Sequence, residues 1–148
     1  MNKGLIENVI LCTMFIILLR MSIVDAKTHR IPAKYTLFMY ALALGHIMVN
    51  YPDIKEYVAS LGWFGGSVHL IFFLTKGKGI GGGDVKLITA TSLLLGIRKE
   101  MVALLVSLTI GCFVHFILGL LHKGNDCFPF SPYYTIGICV SFCATIMY

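Results

Sequence analysis

Four aspartates occur in the 148 residues, and two of them, Asp25 and Asp84, sit where apolar runs meet polar loops. Two carboxyls on one face of a membrane can share a proton. One then takes a proton from water while the other protonates or hydrogen-bonds the carbonyl under attack. That is the chemistry of aspartic proteolysis. The plain alternative is a pair of interfacial carboxylates, with Asp25 capping a helix or pairing with Lys27 or Arg30. Asp84 follows Gly81, Gly82 and Gly83 and precedes Val85, Lys86 and Leu87. Three successive glycines start a helix poorly, and they let main chain approach a carboxylate or a substrate strand closely.

Composition decides which elements carry these carboxyls. Hydrophobic residues make up 57% and charged residues 13%, and mean hydropathy is +0.85. Soluble domains average about 25% charged residues. A soluble domain of this size buries only about two-thirds of its chain surface, too little to hide so much apolar area. The chain therefore reads as a membrane protein. Six apolar runs stand out: 8–24, 35–49, 57–75, 85–97, 101–121 and 132–147. Of the charged residues, only Arg20 and Lys86 fall inside them, each near an end. The runs do not alternate as barrel strands do, so helices are expected. The expected fold is all-α, a polytopic six-transmembrane-helix bundle that forms a single integral-membrane domain over 1–148. No small-residue cleavage site follows the first run, which is expected to remain as the first helix. The fourth helix is expected to start at Gly83 or Asp84.

Basic residues set the expected topology. Lys27, Arg30, Lys34, Lys76, Lys78 and Lys123 lie in loops on one side. Lys86 sits at that edge, and Arg20 can reach it by snorkelling. Lys3, Lys55, Arg98 and Lys99 lie on the other side. The larger set predicts the cytoplasmic face and puts both termini outside the cytoplasm. Two helices separate Asp25 from Asp84, so both return to the cytoplasmic face, away from Asp53 and Glu56. These loops account for the net charge of +5, and no nucleic acid is expected as a partner.

The five cysteines form no CxxC pair, so neither a disulfide framework nor a zinc ribbon is expected. Cys112, His115 and His122 share a helix face, but no clear set of further ligands joins them. No metal and no other cofactor is expected. Small residues recur every fourth position at Gly62 and Gly66, at Ala103, Ser107 and Gly111, and at Gly137, Ser141 and Thr145. Such spacing predicts close helix packing in lipid.

Three segments, taken in order, resemble the type IV prepilin peptidases. Gly81-Gly82-Gly83-Asp84 with Val85-Lys86-Leu87 is similar to that family's GxGD motif. Asp25, five intervening residues and then Ile31-Pro32 are similar to its second element. Pro129-Phe130-Ser131-Pro132-Tyr133 is similar to its third. The resemblance implies an intramembrane aspartic protease with Asp25 and Asp84 as its catalytic pair. It implies motif support or substrate binding by Gly81, Gly82, Gly83, Lys86, Ile31, Pro32, Pro129, Phe130 and Pro132. The implied substrates are type IV prepilins, pseudopilins or archaellins, cut at the cytoplasmic face of the bilayer ahead of their hydrophobic helix. Ala33 stands where the family often has Asn. The chain looks like the small members without an N-terminal CxxC region, so methyl transfer is not expected. Helix polarity predicts Asp84, near a helix N-terminus, as the base and Asp25, near a helix C-terminus, as holder of the shared proton.

Other readings stay open at this point. Presenilin-like and signal-peptide-peptidase-like enzymes also use GxGD, with more spans and usually a Tyr before the first aspartate, where this chain has Val24. A small transporter or channel subunit would place its aspartates nearer mid-bilayer. A non-proteolytic subunit of a pilus or secretion assembly would need neither carboxyl.

Overall fold

The computed structural model describes residues 3–28, 31–50, 54–78, 80–120 and 129–146. Every element among them is helical. Helix α1 spans Lys3–Thr28 and α2 spans Ala33–Val49. Helix α3 runs continuously over Ile54–Leu74, with a π-helical stretch at Leu61–Gly65. The stretch Gly82–Leu120 is interrupted at Gly96, whose φ of 76° and ψ of 174° are not helical. Its two parts are α4 (82–95) and α5 (97–120). Helix α6 spans Phe130–Ile146. Over the described residues, each of the six apolar runs lies mainly on one of these helices.

The burial pattern suits lipid. Leu37, Phe73 and Phe116 are exposed, whereas Thr91, Ser92, Glu100 and Ser141 are buried. Apolar groups outside and small or polar groups between helices are what a hydrocarbon solvent favours. Gly4–Thr28, Ile54–Leu74 and Gly82–Leu120 are long and apolar enough to cross a membrane, and Ala33–Val49 and Phe130–Ala144 are shorter apolar helices.

Gly96 turns the chain back on itself. In an unbroken helix Thr91 and Glu100 would stand about 13 Å apart along the axis. Thr91 Oγ1 instead donates to Glu100 Oε1 at 3.3 Å, so α4 and α5 form a hairpin. The backbone conformation at Gly96 is open essentially to glycine alone, and a Cβ there would lie 3.2 Å from Glu56 Oε1. Gly96→Ala is expected to destabilise the protein by about 1–3 kcal/mol. The check is the melting temperature of the detergent-solubilised variant; an unchanged value would rule out this turn.

Contacts fix the helix directions. His46, near the end of α2, lies 3.6 Å from the Glu7 carboxylate near the start of α1. Its ring stands edge-on to Tyr57 near the start of α3. Asp25 is about 27 Å further along α1 than Glu7. At that other end Phe72, late in α3, packs on Gly82, and Ile31 packs on Gly83. Helix α6 runs antiparallel to α1. Phe15 meets Phe142 with ring centroids 5.4 Å apart, Ser22 meets Thr135 at 2.6 Å, and Asp25 meets Ser131. One end of the bundle therefore gathers the end of α1, the start of α2, the end of α3 and the starts of α4 and α6.

The small-residue faces of α5 and α6 pack together as their spacing predicts. A Cβ on Gly137 would run into the Ala103 carbonyl oxygen and lie 3.2 Å from Ser107 Cβ. Gly111 and Ser141 are also buried, while the Thr145 side chain lies outside those described. The pair Gly62 and Gly66 behaves differently. Both are exposed, with open space where a Cβ would stand. The packed glycine is Gly65, whose Cβ would lie 3.2 Å from Thr89 Cγ2. Gly65 keeps the helical spacing of the inward positions Leu61, Val68 and Phe72, and Gly62 and Gly66 lie off that face.

Candidate active site

Asp25 lies three residues before the end of α1 and is buried, at 5% exposure. Its Oδ2 accepts the Ser131 backbone N–H at 3.0 Å. Ser131 is the second residue of α6, so its N–H is one that a helix leaves without an intrahelical partner. Pro132 follows and has no N–H to offer. A carboxyl from α1 thus caps α6. Ser22, one turn earlier on α1, reinforces the junction by donating to Ser131 O at 3.3 Å. The Ser131 hydroxyl is itself buried without a hydrogen-bond partner among the described residues.

Asp84 is the third residue of α4 and is half-buried. It interacts electrostatically with Asp25 and accepts a hydrogen bond from the Gly81 backbone. The glycines before it have separate tasks. A Cβ on Gly81 would stand 2.9 Å from Asp84 Oδ2, and a bare backbone lets the loop close onto the carboxyl. The Gly81 carbonyl meanwhile accepts the Val85 N–H at 3.1 Å, which continues the helix. A Cβ on Gly83 would stand 2.9 Å from Ile31 Cβ, so the start of α4 lies directly on the residue that leads into α2. Pro32 holds that entry extended, with φ −65° and ψ 131°. Gly82 has only ordinary contact with Phe72, at 3.7 Å.

Three segments far apart in sequence therefore meet around two carboxyls. Pro129 and Pro132 are half-buried at the start of α6. Phe130 is buried and stacks on Tyr134 with centroids 5.2 Å apart. Lys86 stands outside the cluster: it is exposed and lines a groove of about 350 Å³ with Lys34, Leu37 and Tyr40. Helix polarity does not separate the two carboxyls as the sequence predicts. Asp25 lies near the C-terminus of its own helix but also faces the N-terminus of α6, so each carboxyl meets a helix N-terminus.

Cys112 and His115 are exposed on α5, while His122 lies outside the described residues. Among the described residues no group of three or more His, Cys, Asp and Glu is placed to hold a metal ion.

Sequence reasoning did not find the Ser131 N–H or the buried cluster of Glu100, Tyr134 and Thr91. Glu100 Oε1 accepts the Tyr134 hydroxyl at 2.5 Å in addition to Thr91 Oγ1. One signal for it was present. Glu100 precedes Ala103, Ser107 and Gly111 at helical spacing, which puts a carboxyl on the face that packs inward.

A bundle of apolar helices with paired carboxyls at one end has the layout for peptide chemistry at a membrane edge. Family comparison matches residues 12–120 to the type IV leader peptidase family. The match covers most of the chain, and the chain belongs to that family. Membership implies peptidase activity, prepilin-type substrates and a multi-pass membrane setting. The matched span contains Asp25, Ile31, Pro32 and Gly81 to Asp84 and stops before Pro129. Comparisons with curated proteins and with solved structures give no match.

Proposed function

We propose that this protein is an aspartic endopeptidase that removes the short basic leader of type IV prepilins or prepilin-like proteins, with Asp25 and Asp84 as its catalytic pair. The observation that carries this reading is the convergence of three distant motif segments on two interacting carboxyls, in a chain of the type IV leader peptidase family. One carboxylate takes a proton from water as the water oxygen bonds to the scissile carbonyl carbon. The other carboxyl gives its proton to the carbonyl oxygen. In the second step the first carboxyl gives its proton to the leaving nitrogen, the C–N bond breaks, and a hydroxyl of the tetrahedral intermediate returns a proton to the second carboxylate as the carbonyl re-forms.

In this reading the six helices are six spans. The excess of Lys and Arg in the sequence segments that adjoin the carboxyl-bearing helix ends supports a cytoplasmic position for that end, with both termini outside. A leader bearing basic residues would then meet the site from the cytoplasm, with its apolar helix still in lipid. Placement of the carboxyls at one end of the bundle, not midway along it, favours this reading over an ion path.

The test is cleavage of full-length precursors by the protein in lipid nanodiscs. The panel would hold prepilins, pseudopilins and archaellins with a basic leader, a glycine and an apolar helix, with products read by mass spectrometry. A single cut just ahead of the apolar helix is expected. Absence of cleavage across the panel would overturn the proposal.

A further inference from the structure

Glu100 is the most deeply buried acid among the described residues, at 0% exposure, and none of them forms a salt bridge with it. Its neighbour Lys99 lies over the Phe142 ring at 4.6 Å, and Arg98 is exposed. Glu100 Oε1 accepts the Tyr134 hydroxyl at 2.5 Å and Thr91 Oγ1 at 3.3 Å. The two hydroxyls are themselves 2.5 Å apart. Oε2 has no partner among the described residues. Thr91 comes from α4, Glu100 from α5 and Tyr134 from α6. Apolar side chains of similar volume could hold three helices together as well or better. An acid inside a membrane bundle instead marks a task beyond cohesion.

Position indicates the task. Thr91 is seven residues beyond Asp84 on the same face of α4, about 10 Å along the axis. Tyr134 is three residues beyond Ser131, whose N–H is held by Asp25. Starting from Asp84, a frame runs along α4 to Thr91, across to Tyr134, back along α6 to Ser131, and closes on Asp25. The Tyr134 ring stacks on Phe130, one turn earlier on α6. At its start α4 packs through Gly82 and Gly83 on Phe72 and Ile31 and buries Val85 and Leu87, apolar contacts that depend little on direction. Hydrogen bonds at the far side of the frame fix both the rotation and the height of α4 against α6, because they depend on direction as well as distance.

We propose that Glu100, Tyr134 and Thr91 are positioning residues: a three-helix lock that sets the separation of the Asp25 and Asp84 carboxyls. The inference rests on the peptidase reading for its kinetic consequence, though not for its geometric one. The lock touches no substrate, so it acts on turnover and leaves binding alone.

The test uses the full chain in lipid nanodiscs with three variants: Tyr134→Phe, Glu100→Leu and the conservative Glu100→Gln. The folded fraction is isolated before assay. Tyr134→Phe and Glu100→Leu are expected to lower kcat by about tenfold or more with KM within about twofold, the signature of misplaced reacting groups. Glu100→Gln keeps an acceptor at Oε1 and is expected to stay within about threefold of the parent. Separately, nitroxides at positions 27 and 86 in a cysteine-free background report the distance between the ends of α1 and α4. That distribution is expected to broaden in Tyr134→Phe and to stay narrow in Glu100→Gln. Unchanged kcat in both Tyr134→Phe and Glu100→Leu would overturn the proposal. So would a fall in kcat with an unchanged distance distribution. If the parent protein cleaves no precursor, the peptidase reading fails, and the distance measurement alone decides whether the lock exists.

Discussion

Asp25→Asn and Asp84→Asn are each expected to cut leader removal by about 10³-fold or more while leaving the helix bundle intact. The asparagine variants are the informative ones because of what they keep. At position 25 the amide oxygen can still accept the Ser131 N–H, so the cap that α1 places on α6 survives. Asp25→Ala would leave that buried N–H unpaired, at a cost of about 1–3 kcal/mol, and would confuse lost chemistry with lost structure. At position 84 the amide oxygen can still accept from the Gly81 backbone. What neither amide can do is take a proton from water or return one to a carbonyl oxygen. The two groups would act as a unit, so the double variant is expected to be little worse than either single one. Initial rates of precursor cleavage, measured beside melting temperatures, check all three. Near-normal cleavage by either single variant would sink the two-carboxyl mechanism.

Much of this arrangement was legible in the residues because lipid leaves a chain few options. Apolar runs become helices, and the number of helices between Asp25 and Asp84 decides that both reach the same end. Gly83 was conspicuous in its motif, and its purpose became visible once Ile31 was found against it. The misses have separate causes. Glu100 falls between two apolar runs beside Arg98 and Lys99, and there it reads as part of a polar loop. The turn is in fact the single residue Gly96, so Glu100 already belongs to α5 and faces inward. Gly62 and Gly66 have the spacing of a packing pair, but the inward face of α3 runs through Leu61, Gly65 and Val68. The Ser131 N–H leaves no mark in the sequence at all, because every residue except proline has one. Its importance comes from lying at a helix start opposite a carboxyl.

Gly137→Ala is expected to destabilise the protein by about 3 kcal/mol or more, at or beyond the upper end for overpacking a core. A methyl group at this position runs into the Ala103 carbonyl oxygen and presses on Ser107 Cβ at 3.2 Å. A backbone carbonyl cannot rotate aside as the end of a flexible side chain would, so α5 and α6 must separate. The damage then spreads through known contacts. Tyr134 lies three residues from Gly137, and its hydroxyl would be drawn from Glu100 and Thr91. Glu100 would remain fully buried with fewer hydrogen bonds, a costly state for an acid. The controls lie in the same chain. Gly45, Gly62 and Gly119 are also helical glycines, and a Cβ at each meets nothing within 4 Å. There the change to alanine is expected to be neutral or to stabilise by about 0.5–1 kcal/mol, since glycine is the poorer helix former. Thermal unfolding of all four variants in one detergent gives the comparison. If Gly137→Ala melts with Gly119→Ala, then α5 and α6 do not approach backbone to backbone. The frame that holds Tyr134 against Glu100 would then need another support.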